Sequence, residues 1–125
     1  MLQNSKLISF LATVNLNEAK RFYRDILGLE LKAEEGNALV FNVNGSPLRI
    51  SLVKEFTPHP FTSLGFIVRD IEFKVNNLVK AGIRLEQFEA FSQTSEGIWE
   101  APDGTKVVWF KDTDGNLLSL TEFKV

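Results

Sequence analysis

One imidazole and no thiol are available to this chain, because His59 is its single histidine and cysteine is absent. That inventory removes thiolate nucleophiles, zinc–thiolate sites and disulfides, and any site that needs two imidazoles from one chain. His59 lies in Thr57-Pro58-His59-Pro60, where the prolines disfavour helix and favour an extended linker. Its plain reading is an exposed side chain; its functional reading is a hydrogen-bond donor or general base. Asp112 and Asp114 look like paired carboxylates, yet with Gly115-Asn116 after them they have the composition of a turn. Acid–base work by Glu100 or Glu122 is open in principle, but no spacing singles either out. No Gly-rich phosphate loop follows a strand-like run, and no calcium-loop spacing of oxygens extends past Asp114.

Aromatic residues offer a different chemistry. The chain carries 11 Phe, 2 Trp and 1 Tyr, and most of the Phe, such as Phe22 and Phe66, read as core. Phe41, Trp99 and Trp109 lie in strand or loop segments, where a ring can stack on a planar ligand. Between Trp109 and Phe110, the sequence does not say which faces inward.

Composition narrows the partners. At 125 residues the chain is expected to be a single domain. Apolar residues make up 44% and charged residues 24%, and no run approaches the ~18 apolar residues of a membrane span. Met1-Leu2-Gln3-Asn4-Ser5-Lys6 has no secretion-signal pattern, so the expectation is a cytoplasmic protein with no membrane partner. A net charge of −2 without a Lys/Arg cluster leaves no footprint for nucleic acid.

The elements that position these residues read twice. Asn15 to Gly28 has a counterpart 55 positions later, from Asp70 to Gly82. Each copy starts at a capping residue, carries an apolar stripe and stops at a glycine. In the first, Asn15 with Glu18 has capping-box spacing, and Ala19, Phe22, Tyr23, Ile26 and Leu27 form the stripe. In the second, Asp70 is the expected cap and Ile71, Val75, Leu78 and Val79 the stripe. Strands are expected over 7–14, 29–32, 38–43 and 48–53, with Asn44-Gly45 as a hairpin signal. After a Pro-containing linker at about 55–61, they recur over 63–68, 84–91, 106–111 and 117–123. The order is βαβββ twice, with modules at about 7–54 and 62–124.

Two segments resemble a known superfamily: Asn15-Leu16-Asn17-Glu18-Ala19 with Phe22-Tyr23 and Leu27-Gly28-Leu29, and Phe110-Lys111-Asp112-Thr113-Asp114-Gly115-Asn116-Leu117-Leu118-Ser119-Leu120. Both are similar to segments of the vicinal-oxygen-chelate proteins, which include glyoxalase I, extradiol dioxygenases, and fosfomycin- and bleomycin-resistance proteins. The resemblance implies an α+β fold of two pseudo-symmetric βαβββ modules, forming curved mixed sheets around a cavity. It also implies metal-ligand positions on the first and last strand of each module. Counting from the helix caps and the terminal hairpin, those positions fall at Ile8, Ser51, Ser63 and Ser119. A divalent cation wants several oxygen or imidazole donors, so a metal-free chain is expected, closest in character to the bleomycin-resistance branch, with no cofactor.

Alternation along strands then assigns a cavity-facing parity containing Phe10, Ala12, Arg49, Ser51, Gly65 and Ile67. Leu11, Ile50, Leu52, Leu64, Phe66, Leu118 and Leu120 fall on the opposite, helix-facing parity. Serines could simply tolerate a half-exposed sheet, and Arg49 could simply pair with a nearby glutamate. The functional reading is a pocket with Phe10, Phe41, Trp99 and Trp109 as walls and Arg49, Ser51, Ser63 and Ser119 as polar contacts. The expected function is reversible capture of an aromatic or amphipathic small molecule by a homodimer. The alternative is an enzyme of the same superfamily, a lyase, isomerase or dioxygenase with non-standard metal ligands or metal-free acid–base catalysis.

Overall fold

Asn15 begins the first helix as its side chain dictates: with extended backbone, its Oδ1 accepts the Glu18 N–H at 3.1 Å. The reciprocal arm of a capping box does not form, because the Asn15 N–H donates to Thr13 Oγ1 at 3.1 Å. In this computed structural model, which describes residues 1–125, the chain divides into two compact units, Met1–Thr57 and Pro58–Val125.

Unit one runs β1 (Ser9–Thr13), α1 (Leu16–Lys20), a π-helical continuation (Arg21–Ile26), β2 (Glu30–Glu35), β3 (Ala38–Val43) and β4 (Ser46–Leu52). The π-helical turn ends with the Leu27 N–H on the Phe22 carbonyl at 2.9 Å, five residues back. It leaves Phe22 and Tyr23 both buried, with their rings edge-on at 5.0 Å. Gly28 closes the segment at φ 76°, a conformation open to glycine and costly for most residues. The sheet order is β1-β4-β3-β2, with β1 parallel to β4 and the other pairs antiparallel. Asn44 and Gly45, at φ 50° and 90°, make the tight β3–β4 hairpin. Leu11, Leu39, Phe41, Leu48 and Ile50 are buried on one face of this sheet. Each such side chain contributes roughly 1.5–3 kcal/mol by leaving water.

Unit two repeats the sheet order. It runs β5 (Leu64–Ile67), α2 (Ile71–Lys80), β6 (Trp99–Glu100), β7 (Lys106–Lys111) and β8 (Leu117–Glu122), ordered β5-β8-β7-β6 with β5 parallel to β8. Val108, Phe110, Leu118 and Leu120 are buried on one face, as are Ile71, Val75 and Leu78 of α2. The architecture is therefore α+β, two four-stranded mixed sheets in βαβββ modules.

The structure departs from four local expectations. Asp70 sits at the N-cap of α2 in a left-handed conformation, φ 54°, and its side chain caps nothing. The Ile71 N–H donates instead to Glu122 Oε1 of β8 at 2.8 Å. Val79 is exposed rather than part of the buried stripe, and Leu52 is exposed at the end of β4. The strand expected over 84–91 does not form. Only Leu85 bridges Phe110, and the edge resumes at β6, where Trp99 pairs with Val107. Leu85, Phe88 and Phe91 recur every three residues, so they cannot share one face of a strand with its period of two. The intervening segment is a loop tied down by Gln93, whose Nε2 donates to the Glu86 and Gly97 carbonyls at 2.9 and 2.7 Å and whose Oε1 accepts the Phe88 N–H at 2.7 Å.

No helix in the structure is long and apolar enough to cross a membrane.

Candidate functional site

Strand register decides which side chains share a face. In unit two Trp109 pairs with Ser119, and Ser119 with Gly65; Val107 pairs with Thr121, and Thr121 with Ile67. Trp99 joins them through Val107. These residues oppose the buried Phe110, Leu118 and Leu120, so Trp109 lies on the open face and Phe110 in the core.

Four rings gather on that face. Phe91 stacks on Trp109 with centroids 5.2 Å apart and planes 9° apart, and tilts against Trp99 at 4.8 Å. Trp99 and Trp109 are 6.3 Å apart, and Phe88 meets Trp109 edge-on at 5.3 Å. Phe88 and Phe91 were not among the candidates read from sequence. Both come from the loop that replaces the expected strand, and their spacing of three was the available signal.

Two hydroxyls come from β8, where Ser119 pairs with Trp109, and from the residue preceding β5. Ser119 is 7% exposed, and its Oγ lies 2.8 Å from where a Cβ on Gly65 would be. The glycine thus provides the room this hydroxyl occupies. Ser63 lies in a bend just before β5, with its N–H on the Leu117 carbonyl at 2.8 Å. Its Oγ is buried and makes no hydrogen bond. Such a group costs about 1–3 kcal/mol when left unpaired.

The open face of unit one carries Phe10, paired with Arg49, and Ala12, paired with Ser51. Phe10 is 62% exposed. Arg49 Nη1 donates to Glu35 Oε2 at 2.9 Å, so its guanidinium already holds a carboxylate. Phe41, expected as a pocket wall, is instead fully buried. It pairs with Leu48 on the helix-facing side, and its ring lies 6.0 Å from Tyr23. The register also shifts a pseudo-symmetric equivalence. Phe10 and Gly65 each stand five residues before their helix caps, and they pair with Arg49 and Ser119 respectively. Arg49, not Ser51, is therefore the counterpart of Ser119. Counting from the chain alone misses this because the β3–β4 loop is Asn44-Gly45, whereas the β7–β8 loop is the longer Asp112–Asn116.

The remaining chemical candidates are otherwise engaged. His59 stacks on Phe61 at 4.8 Å with planes 6° apart. Asp112 Oδ1 accepts the N–H groups of Asp114 and Asn116 at 2.9 Å each, and Oδ2 accepts Asn116 Nδ2 at 2.8 Å, which is turn chemistry. Glu122 holds the N-terminus of α2.

The positions that the superfamily resemblance implies for metal ligands hold an alkyl group at Ile8, a guanidinium at Arg49 in place of Ser51, and hydroxyls at Ser63 and Ser119. This donor set does not fit a divalent cation, which requires several anionic, carbonyl or imidazole donors. No cluster of three or more His, Asp or Glu side chains that could hold a metal occurs elsewhere in the chain.

Comparison with known proteins agrees with this architecture. The family model for the Glyoxalase/Bleomycin resistance protein/Dioxygenase superfamily matches residues 7–120. No curated protein matches the chain. Among solved structures, a glyoxalase family protein from Bacillus anthracis aligns with TM-score 0.77 at 20% identity, covering 97% of this chain and 96% of its own. Lactoylglutathione lyase from Agrobacterium tumefaciens aligns at 0.74 and 19%, covering 98% and 96%. A genomically encoded fosfomycin resistance protein from Listeria monocytogenes aligns at 0.75 and 14%, covering 98% and 95%. At these identities the likeness is one of fold, and chemistry has to be read from the site.

Proposed function

Because the chain belongs to the glyoxalase/bleomycin resistance protein/dioxygenase superfamily but carries no fitting metal donors at the family's positions, we propose that it is a metal-free binding protein for a small planar aromatic molecule. The observation that carries this reading is Trp109, set on the open face of its sheet beside Ser119 and within stacking range of Trp99. A flat ligand gains dispersion and quadrupole contact from the indoles. The Ser63 hydroxyl, buried and unpaired, supplies a hydrogen bond whose energy has not been spent within the protein.

Capture requires affinity and no bond-making, which suits a face built from rings and hydroxyls. Phe10, Arg49 and Ser51 are proposed as ligand contacts on the open face of unit one by itself. Arg49 takes part only if a ligand carboxylate competes with Glu35 for its guanidinium. The protein is further proposed to act in the cytoplasm as a homodimer, with the small molecule as its partner and no nucleic acid.

Inductively coupled plasma mass spectrometry on untagged protein tests the metal-free half of the reading. Substoichiometric metal is the expected result. One equivalent of a transition metal per chain, removed by chelator with loss of ligand binding, overturns it.

A further inference from the structure

Phe91 covers one face of the Trp109 indole. Its ring is nearly parallel to the indole, with centroids 5.2 Å apart and planes 9° apart, an offset stack of the kind a flat ligand would also make. Yet Phe91 itself is 38% exposed. It sits on the tip Glu89-Ala90-Phe91-Ser92, all four residues exposed. The tip is closed by a turn bond from the Phe91 N–H to the Phe88 carbonyl at 3.1 Å. The flanks are held much more firmly: Gln93 spans the loop with three hydrogen bonds, and the Glu86 N–H donates to the Trp109 carbonyl at 2.8 Å. A ring on a short exposed turn between two pinned flanks can leave its stack without the loop unravelling.

We propose that Phe91 is an internal stand-in for the ligand. It stacks on Trp109 in the free protein and is displaced when a planar aromatic molecule takes its place, so it sets a threshold that selects for rings flat and large enough to outcompete a phenyl group. The inference rests on the planar-ligand reading above and adds a competitor to it. A protein whose binding-competent state is only partly populated shows an affinity reduced by that fraction. An aromatic stack of ordinary strength therefore lowers apparent affinity by about two- to tenfold.

The test is an NMR titration of full-length protein, labelled with ¹⁵N at its two tryptophans, against 2-naphthol. The Trp109 indole signal is identified with Trp109→Phe. Wild type is expected to show a saturable shift of that signal. Phe91→Ala is expected to bind about two- to tenfold more tightly. Phe91→Leu, which keeps apolar bulk but loses the flat face, is expected to change in the same direction and guards against a folding defect in the alanine variant. Equal or weaker binding by both variants, with wild type still binding, makes Phe91 a fixed wall and overturns the competitor. If neither wild type nor variants shift the indole signal, the planar-ligand reading itself falls and the competitor with it.

Discussion

The Ser119 hydroxyl fills the space that a side chain at Gly65 would need, lying 2.8 Å from the position of its Cβ. These two residues are paired across β5 and β8, so backbone and hydroxyl hold each other in register. Gly65→Ala is expected to push Ser119 off its rotamer and to destabilise by about 1–3 kcal/mol, the usual range for overpacking. Ser119→Ala in the same background is expected to recover most of the loss. Urea midpoints of the two single variants and the double variant measure this coupling; additive losses would mean that the close approach is relieved elsewhere.

Ser63 sets stability against function. Its Oγ is buried without a partner, so Ser63→Ala is expected to leave the free protein as stable or up to about 1 kcal/mol more stable. The same variant is expected to lose part of the stabilisation that a ligand confers. A clear loss of stability in the free protein would show that the hydroxyl is satisfied in solution.

Capping of α2 belongs to Glu122 rather than Asp70. Removing the carboxylate with Glu122→Ala leaves the Ile71 N–H without its 2.8 Å acceptor and is expected to cost about 1 kcal/mol, as for loss of a side-chain cap. Asp70→Gly is expected to cost little or to stabilise, because it relieves a positive φ and removes no cap bond. Chemical denaturation of the two variants should rank them in that order.

Lys106 Nζ lies 2.6 Å from Glu72 Oε1. This hydrogen bond holds the Glu72 carboxyl below its ordinary range and raises Lys106 above its own. A carboxyl depressed on folding contributes stability that is fully present above its unfolded value and is lost as pH falls through its folded one. Wild type is therefore expected to be slightly more stable than Glu72→Gln at neutral pH, and the gap should close as pH falls below the usual carboxylate range. Since Glu72 is exposed and Lys106 only half-buried, the effect is small and salt-sensitive. Melting curves at several pH values check the direction; a gap that widens in acid contradicts it.

Local chemistry made much of the fold legible. Asn15 announces a helix because its short side chain can accept the Glu18 N–H, and Gly28 and Asn44-Gly45 announce a stop and a hairpin because they tolerate positive φ. What depends on distant partners was not legible. Glu122 caps a helix that begins 51 residues earlier in the chain. The edge strand expected over 84–91 fails because Leu85, Phe88 and Phe91 lack a strand period and because Gln93 satisfies the loop backbone. Phe41 and Trp109 are both aromatic residues in a third strand, yet one pairs with Leu48 in the core and the other with Ser119 on the open face. Only the register between strands separates them, and hairpin loops of different length conceal it.

Metal-free binding of a planar aromatic molecule at Trp99, Trp109 and Ser119 has a direct thermodynamic signature. The most direct measurement is a thermal-shift titration with planar aromatic compounds in the presence of EDTA, run in parallel with divalent cations alone, on wild type and Trp109→Ala. A bound ligand raises the melting temperature by mass action. The expected result is a dose-dependent rise with an aromatic compound in EDTA, absent in Trp109→Ala, and no response to cations. Stabilisation by a divalent cation that EDTA reverses, with no response to any aromatic compound, would overturn metal-free aromatic binding.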